Sequence, residues 1–369
     1  MKYIFYCFIL FFTVLPVTAQ WKWYNPLKNS FPVIQNQGFT QEVGYSYHRL
    51  PDRAKDVVRK EVWNLSRESA GLSIHFFCNA PQIKVRYQVT GGFAMPHMPS
   101  TGVSGIDLYR MDNDLSWNFC FGNYAFADTI VYSYNHMKKN LGRKKGFEYK
   151  LFLPLYNGVK WMEIGVAEDE NIEFVPVSKE PAIIVYGTSI VQGACASRPG
   201  MAWTNILQRS LNCPVINLGF SGNGKLEENV LGFISELNAS LFILDCMPNF
   251  PNDDYETIYT HVVNAVKQLR LTHKTPILLV EHAGYSNAKT DSTQFEYYDH
   301  TNRASRKAFE TLTAEGVPSV FYVSHEELDF DPDAWVDYVH PSDIGMQRQA
   351  KVLEKAIRDI LQKNSNFLL

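Results

Sequence analysis

Four stretches of the chain carry residues that together can run an acyl transfer. Gly187-Thr188-Ser189-Ile190 offers a serine. Asn217-Leu218-Gly219-Phe220-Ser221-Gly222 offers a glycine-lined backbone, and Met247-Pro248-Asn249-Phe250 a side-chain amide. Asp337-Tyr338-Val339-His340-Pro341 places a carboxylate three residues before a histidine. A serine hydroxyl is a weak nucleophile until a base takes its proton, and histidine is the side chain suited to that task at neutral pH. His340 in turn needs a carboxylate on its other ring nitrogen to hold the tautomer and stabilise imidazolium. Asp337 meets that need if its loop folds back. The developing oxyanion needs donors aimed at it, and the amides of Ser189 and Gly222 with the NH₂ of Asn249 supply three. Pro341 suits the first position of a final helix, which would hold His340 at the helix entrance. Taken singly, each stretch has a plainer reading as a turn, a loop or a helix cap. Their order along the chain is what points to catalysis.

That order needs a scaffold. Past Pro181, continuous apolar runs recur at Ala182–Tyr186, Pro214–Leu218, Leu241–Cys246, Pro276–Val280 and Val317–Val323. Helical stretches separate or follow them at Met201–Leu211, Glu227–Leu237, Tyr255–Thr272, Phe295–Ala314 and Pro341–Gln362. Apolar strands alternating with helices predict a parallel sheet covered on both faces. In such a sheet reactive groups collect at the carboxyl ends of the strands, where all four stretches fall. Ahead of it, from about Gln41 to Val177, the pattern is short strands rich in aromatic and β-branched residues between Gly, Asn and Pro turns. The expected strands are Glu61–Leu65, Leu72–Phe77, Gln82–Val89, Gly105–Tyr109, Thr129–Ser133, Tyr149–Leu155 and Val159–Val166. This is an all-β sandwich pattern.

Gly-x-Ser after the first strand, Gly after the second, Asn after the third and Asp-x-x-His-Pro near the end resemble the SGNH (GDSL-like) hydrolase superfamily. The resemblance runs from about Ala182 to the C-terminus. It implies a flavodoxin-like three-layer α/β/α domain, Ser189 as nucleophile, Gly222 and Asn249 in the oxyanion hole, His340 as base and Asp337 as its orienter. Two departures mark a distant subfamily: Gly-Thr-Ser-Ile stands for Gly-Asp-Ser-Leu, and Met-Pro-Asn-Phe for Gly-x-Asn-Asp. Thr101 to Tyr109, containing Gly105-Ile106-Asp107-Leu108-Tyr109, is similar to the Gly-x-Asp-Leu-Tyr β-domain found ahead of some bacterial SGNH hydrolases. The division expected is a leader at 1–19, a jelly-roll-like β-sandwich at 20–178 and the hydrolase domain at 179–369.

The resemblance implies a serine esterase acting on small acyl groups, with O-acetyl groups on carbohydrate as the substrate favoured. A lipid-type esterase or acyltransferase on the same triad is one rival. A glycan-binding protein with an inactive hydrolase domain is the other. No metal or organic cofactor is called for, because protein groups fill every role. Other residues near the expected site are Arg198, whose guanidinium can clamp a carboxylate or sugar oxygen or tie down its own loop; Glu281 and His282, after the fourth strand; and His97, on a Gly91–Gly105 loop expected to help form the substrate site.

The whole-chain balance narrows the classes. A net charge of −3 with no Lys/Arg run gives no footprint for nucleic acid. Lys2, an apolar run from Tyr3 to Val17 and Val17-Thr18-Ala19 before Gln20 read as a secretory signal peptide. A membrane span needs about 20 apolar residues, and Pro16 breaks this run. The expectation is a periplasmic or secreted protein with no membrane anchor after cleavage. Outside that run lie Cys78, Cys120, Cys195, Cys213 and Cys246, with no zinc-type spacing among them.

Overall fold

Two periodicities divide the backbone, and the computed structural model shows what each builds over the residues it describes, 20–365. The expected leader lies outside them. In the N-terminal half, Ile83–Val89 alternates buried and half-buried positions along its length, as a strand with one face in a core must. It pairs antiparallel with Val159–Ala167 on one side and Ile130–Tyr134 on the other. Trp21–Tyr24 and Asn123–Ala125 complete that sheet at its edges. A second antiparallel sheet runs Ile172–Phe174, Ser73–Cys78, Phe147–Phe152, Asp107–Met111 and Trp117–Cys120. Ile74, Phe76, Val85, Tyr87, Leu151 and Ile164 fill the core the two sheets share, so the unit is a sandwich.

One expected strand is a helix. Lys60–Leu65 is α-helical and buries Val62. Over five residues the Glu-Val-Trp-Asn-Leu pattern suits either period, and Val62 and Leu65 share a face only in a helix. That face packs on the α/β core, not in the sandwich.

In the C-terminal half, every residue of Ala182–Gly187 is buried, as befits a strand covered on both sides. The parallel sheet runs Val215–Gly219, Ala182–Gly187, Ala239–Asp245, Ile277–Val280, Val320–Val323. This is the flavodoxin-like order. Its switch point lies beside the first strand, where open sheets hold their ligands. Helices Glu228–Ile234, Tyr255–Arg270 and Ser292–Ala314 cover one face. Trp203–Ser210 and Asp343–Ser365 cover the other.

Packing crosses the line expected near residue 179. Phe39, Val43, Leu50, Ala54, Val58 and Val62 lie in the core with Ile184 and Leu218. On the opposite face Met98, Val103 and Leu155 join Val191, Trp203 and Leu353. Arg49 fastens this seam. It is 1% exposed, donates to the carbonyls of Gly219 (2.7 Å) and Leu65 (2.6 Å) and lies over the Phe220 ring. Each acceptor orphaned by its removal costs on the order of 1–3 kcal/mol. Arg49→Met is therefore expected to lower unfolding stability by roughly 3 kcal/mol or more, read as a fall in urea midpoint at constant slope. A shift worth less than about 1 kcal/mol would show that those carbonyls find other partners.

Candidate active site

The nucleophile candidate sits on a turn that glycine makes possible. A Cβ on Gly187 would meet the Asp245 carbonyl oxygen and Val191 Cγ2 at 2.3 Å each. Thr188 follows in extended conformation and its hydroxyl accepts from the Ile190 N–H, capping the short helix Ser189–Gln192. Where the related motif has an acidic residue, threonine thus still provides a capping oxygen. Gly193, at φ +117°, ends the helix in the left-handed region. Ser189 is raised at the strand end and its hydroxyl lies 3.0 Å from His340 Nε2.

His340 Nδ1 lies 2.8 Å from Asp337 Oδ2. An ionised carboxylate only accepts, so Nδ1 carries the proton and Nε2 is left to accept from Ser189. The other Asp337 oxygen takes the backbone N–H groups of Val339 (2.8 Å) and His340 (2.7 Å). Partial burial pushes the Asp337 carboxyl up, but the His340 ring and these two amides outweigh it and hold the group below the usual carboxylate value. The loop is closed by Val336 N–H on the His340 carbonyl and Ser342 N–H on the Ala334 carbonyl. Pro341 does not begin the last helix as expected. It pairs in an isolated bridge with Trp335, and the helix begins at Asp343. The histidine is held at the end of a small closed loop, whose Asp337 fixes the Nδ1 side of the ring.

The loops carrying the three groups expected to receive an oxyanion pack around the same strand end. Phe220 N–H donates to the Gly187 carbonyl at 2.9 Å, and Gly224 packs so closely on that carbonyl that a Cβ would lie 2.2 Å from it. Gly222 takes φ +69° and faces open space. Asn249 accepts from Gly224 N–H through Oδ1 (2.9 Å), which fixes the side-chain plane and leaves the NH₂ end unengaged among the described residues. Gly222 N–H has no partner among them either.

Several contacts here carried no sequence signal. Tyr156, from the β-sandwich half, donates to the Ser189 carbonyl at 3.2 Å. Gln192 accepts from Ser221 N–H and donates to Glu68. Burial lifts the Glu68 carboxyl to about 7 despite Arg49 and Gln192. These partners are scattered along the chain, outside any motif.

Of the further candidates, His97 comes to the site. Its ring stacks on His340 with centroids 5.5 Å apart and planes 18° from parallel, while the residue stays exposed. The rest of its loop divides. Met98 is buried against the α/β domain, and Phe93 packs on the sandwich core. Arg198 is not free for substrate. It donates to Asp107 Oδ2 and Tyr109 Oη, each at 2.7 Å, and the same Asp107 oxygen accepts from Gly200 N–H. The Asp and Tyr of the Gly-x-Asp-Leu-Tyr strand therefore clamp the loop that follows the nucleophile.

Glu281 and His282 also turn inward. Glu281 is 1% exposed and accepts from Arg306, Tyr322 and His325. Burial raises its carboxyl, but those donors win and hold it low. His282 Nδ1 accepts from Gly284 N–H, and burial with nearby His325 lowers the ring to about 3. Neither reaches Ser189. Their link to the site is indirect: His282 packs on Tyr285, which stacks on Tyr338 of the histidine loop. The five cysteines of the described residues are all free.

With this geometry in place, comparison with known proteins is specific. Residues 180–358 match the GDSL-like lipase/acylhydrolase family. Residues 21–172 match the Gly-x-Asp-Leu-Tyr N-terminus of SGNH-hydrolase-type esterases. A crystal structure from Bacteroides ovatus ATCC 8483, described as a GDSL-like lipase, is 31% identical with a TM-score of 0.84, covering 93% of this chain and 98% of that one. A salicylyl-acyltransferase from a tetracycline biosynthetic pathway shares the fold at 19% identity and TM-score 0.69, with 85% and 90% coverage. A family two carbohydrate esterase from Cellvibrio japonicus shares it at 15% and 0.55, with 93% and 98% coverage. Among curated proteins none matches.

The bonds of Asp337 set a pH test. A carboxyl held low in the fold contributes stability above its unfolded pKa of about 3.9 and loses it as pH falls through the lower folded value. Asp337→Asn should be less stable than the parent at neutral pH. The gap should close as the solution is acidified below about pH 4, followed by chemical denaturation across a pH series. A gap that stays constant with pH would mean the Asp337 charge is not what the loop depends on.

Proposed function

The chain belongs to the GDSL-like lipase/acylhydrolase family and is an ester-hydrolysing enzyme; from that premise we propose that it removes small acyl groups, acetyl foremost, from carbohydrate. The observation that carries the catalytic part is the continuous line from Ser189 Oγ through His340 to Asp337, at 3.0 and 2.8 Å. His340 takes the serine proton as Oγ attacks the acyl carbon. Asp337 stabilises the imidazolium that forms, and the alcohol leaves with that proton. The Ser189 and Gly222 amides and the Asn249 NH₂ receive the oxyanion. Water, activated by the same histidine, then releases the acid and restores the serine.

The carbohydrate part is supported by the ground along the loop that follows the nucleophile helix. A cavity of about 260 Å³ is lined by Phe119, Phe121, Tyr124, Asp107, Ser197 and Arg198. Aromatic walls with a few fixed polar groups suit a small polar ring, and Phe121 and Tyr124 are exposed there. Ser197 lies on the Cys195–Arg198 loop, to which Thr101 of the β-sandwich half donates at 2.7 Å. A glycan crossing this loop would touch both halves. The apolar stretch near Lys2 supports export, which would bring the enzyme to such polymers.

Ser189→Ala should cut hydrolysis of an aryl acetate by on the order of a thousandfold to a millionfold, because nucleophile and base act as a unit. Asn249→Ala should lower kcat by roughly a hundredfold to a thousandfold, with KM nearly unchanged. Activity should fall as the acyl chain of the aryl ester lengthens, and acetate should be released from at least one member of a panel of acetylated polysaccharides. Turnover retained in Ser189→Ala would remove the nucleophile, and faster hydrolysis of long-chain esters would remove the small-acyl reading.

A further inference from the structure

Two side chains against the histidine have no part in the proposed hydrolysis. His97 is exposed and Cys195 buried. Cys195 is a free thiol, and among the described residues neither the His97 ring nor the Cys195 sulfur has a hydrogen-bond partner. Together with Asp337 and His340 they present four ligand atoms within 4.8 Å of one another. We propose that these four side chains form a zinc-type metal site laid over the catalytic pair, through which a borderline or soft divalent cation switches the enzyme off.

The donor set is two imidazole nitrogens, one sulfur and one carboxylate oxygen, the mixture zinc takes in tetrahedral sites. With ligand bonds of about 2.0–2.3 Å, neighbouring donor atoms of such a site stand roughly 3.5 Å apart, so side chains already within 4.8 Å need only rotate. The four come from three elements: the Gly91–Gly105 loop of the β-sandwich half, the loop after the nucleophile helix, and the closed histidine loop. A cation would close over the junction of the two halves. Binding releases the Cys195 thiol proton to solvent and involves no redox step. It draws a His340 nitrogen out of its bond with Ser189 or with Asp337. In either case the serine loses its oriented base, and hydrolysis stops.

A second cluster of metal-ligating groups shows the contrast. Glu281, His325 and Glu326 also approach one another, but Arg306 bridges both glutamates. A guanidinium already holds the place a cation would take. Among the described residues, no positive side chain is paired with the His97, Cys195, Asp337 and His340 group other than His340 itself when protonated.

The inhibitory effect rests on the esterase reading; the binding does not. Zinc ion alone is titrated into the full-chain protein in competition with a chromogenic chelator, and separately into an aryl acetate assay. One equivalent should bind with micromolar or tighter affinity and inhibit reversibly on chelation. Cys195→Ser and His97→Ala should each weaken binding by at least about tenfold, the lower end of what even an outer-sphere change costs. Both should raise the half-inhibitory zinc concentration in parallel, each measured against its own metal-free rate. Cobalt ion should give a thiolate charge-transfer band that Cys195→Ser abolishes. His97 is exposed, so its variant keeps the test alive if Cys195→Ser fails to fold. Absence of zinc binding, or binding and inhibition unchanged in the variants, overturns the site. Zinc binding by a protein that hydrolyses no ester would sink the esterase reading and leave the site standing.

Discussion

The structure depends on a place where there is no room for a side chain. At Gly187 three parallel strands end together, and a Cβ would lie 2.3 Å from the Asp245 carbonyl. The Gly187 carbonyl itself accepts from Phe220 and lies under Gly224. This crowding sets the nucleophile turn, the loop carrying Gly222 and the loop carrying Asn249 within reach of one another. Close backbone packing sets their mutual position, and the side chains of Gln192 and Asn249 fasten it by accepting from the N–H groups of Ser221 and Gly224. A site so built is rigid before substrate arrives, which is what stabilising a developing charge demands.

From that point the β-sandwich half reads as part of the catalytic unit. Its Arg49 holds the carbonyls of Asn217 and Gly219 on the second parallel strand, and its Tyr156 holds the carbonyl of Ser189. Asp107 fixes Arg198 and Gly200 on the loop that follows. Each joins a charged or polar group of one half to backbone of the other. Buried carbonyls left without such donors would be costly, so the halves supply one another's missing partners. The Gly-x-Asp-Leu-Tyr signature acquires a physical meaning: its aspartate is a tie between domains.

Much of this was legible in the sequence, and the boundary of legibility follows from range. The five parallel strands stood out because strands covered on both faces are continuously apolar. The residues proposed for the triad and the oxyanion hole stood out as candidates because strand ends order them along the chain. Edge strands such as Trp21–Tyr24 and Asn123–Ala125 bury too little to leave a pattern. Over five residues, the Val62 segment could not separate a period of two from one of 3.6. Arg198 was visible as a residue but not its partner, since Asp107 lies 91 positions away. His97 was visible only as a loop residue. Its stacking on His340 depends on how two domains dock, which no local pattern encodes.

That docking separates what is fixed in this fold from what is free to vary. Ser189, Gly222, Asn249, Asp337 and His340 all belong to the parallel-sheet domain, with Tyr156 and Arg49 of the other half bracing its backbone. The groups around them that are not needed for proton transfer, His97 and the walls of the Phe119–Tyr124 cavity, come from the sandwich. Loops on a rigid sheet can change without disturbing a strand-end turn. Selection of the ester is therefore expected to reside in the sandwich and the chemistry in the sheet. The Cys195–Arg198 loop couples them, since it touches the histidine loop at one end and Asp107 at the other. A change in the sandwich that moves Asp107 would be felt at His340 through four residues of backbone.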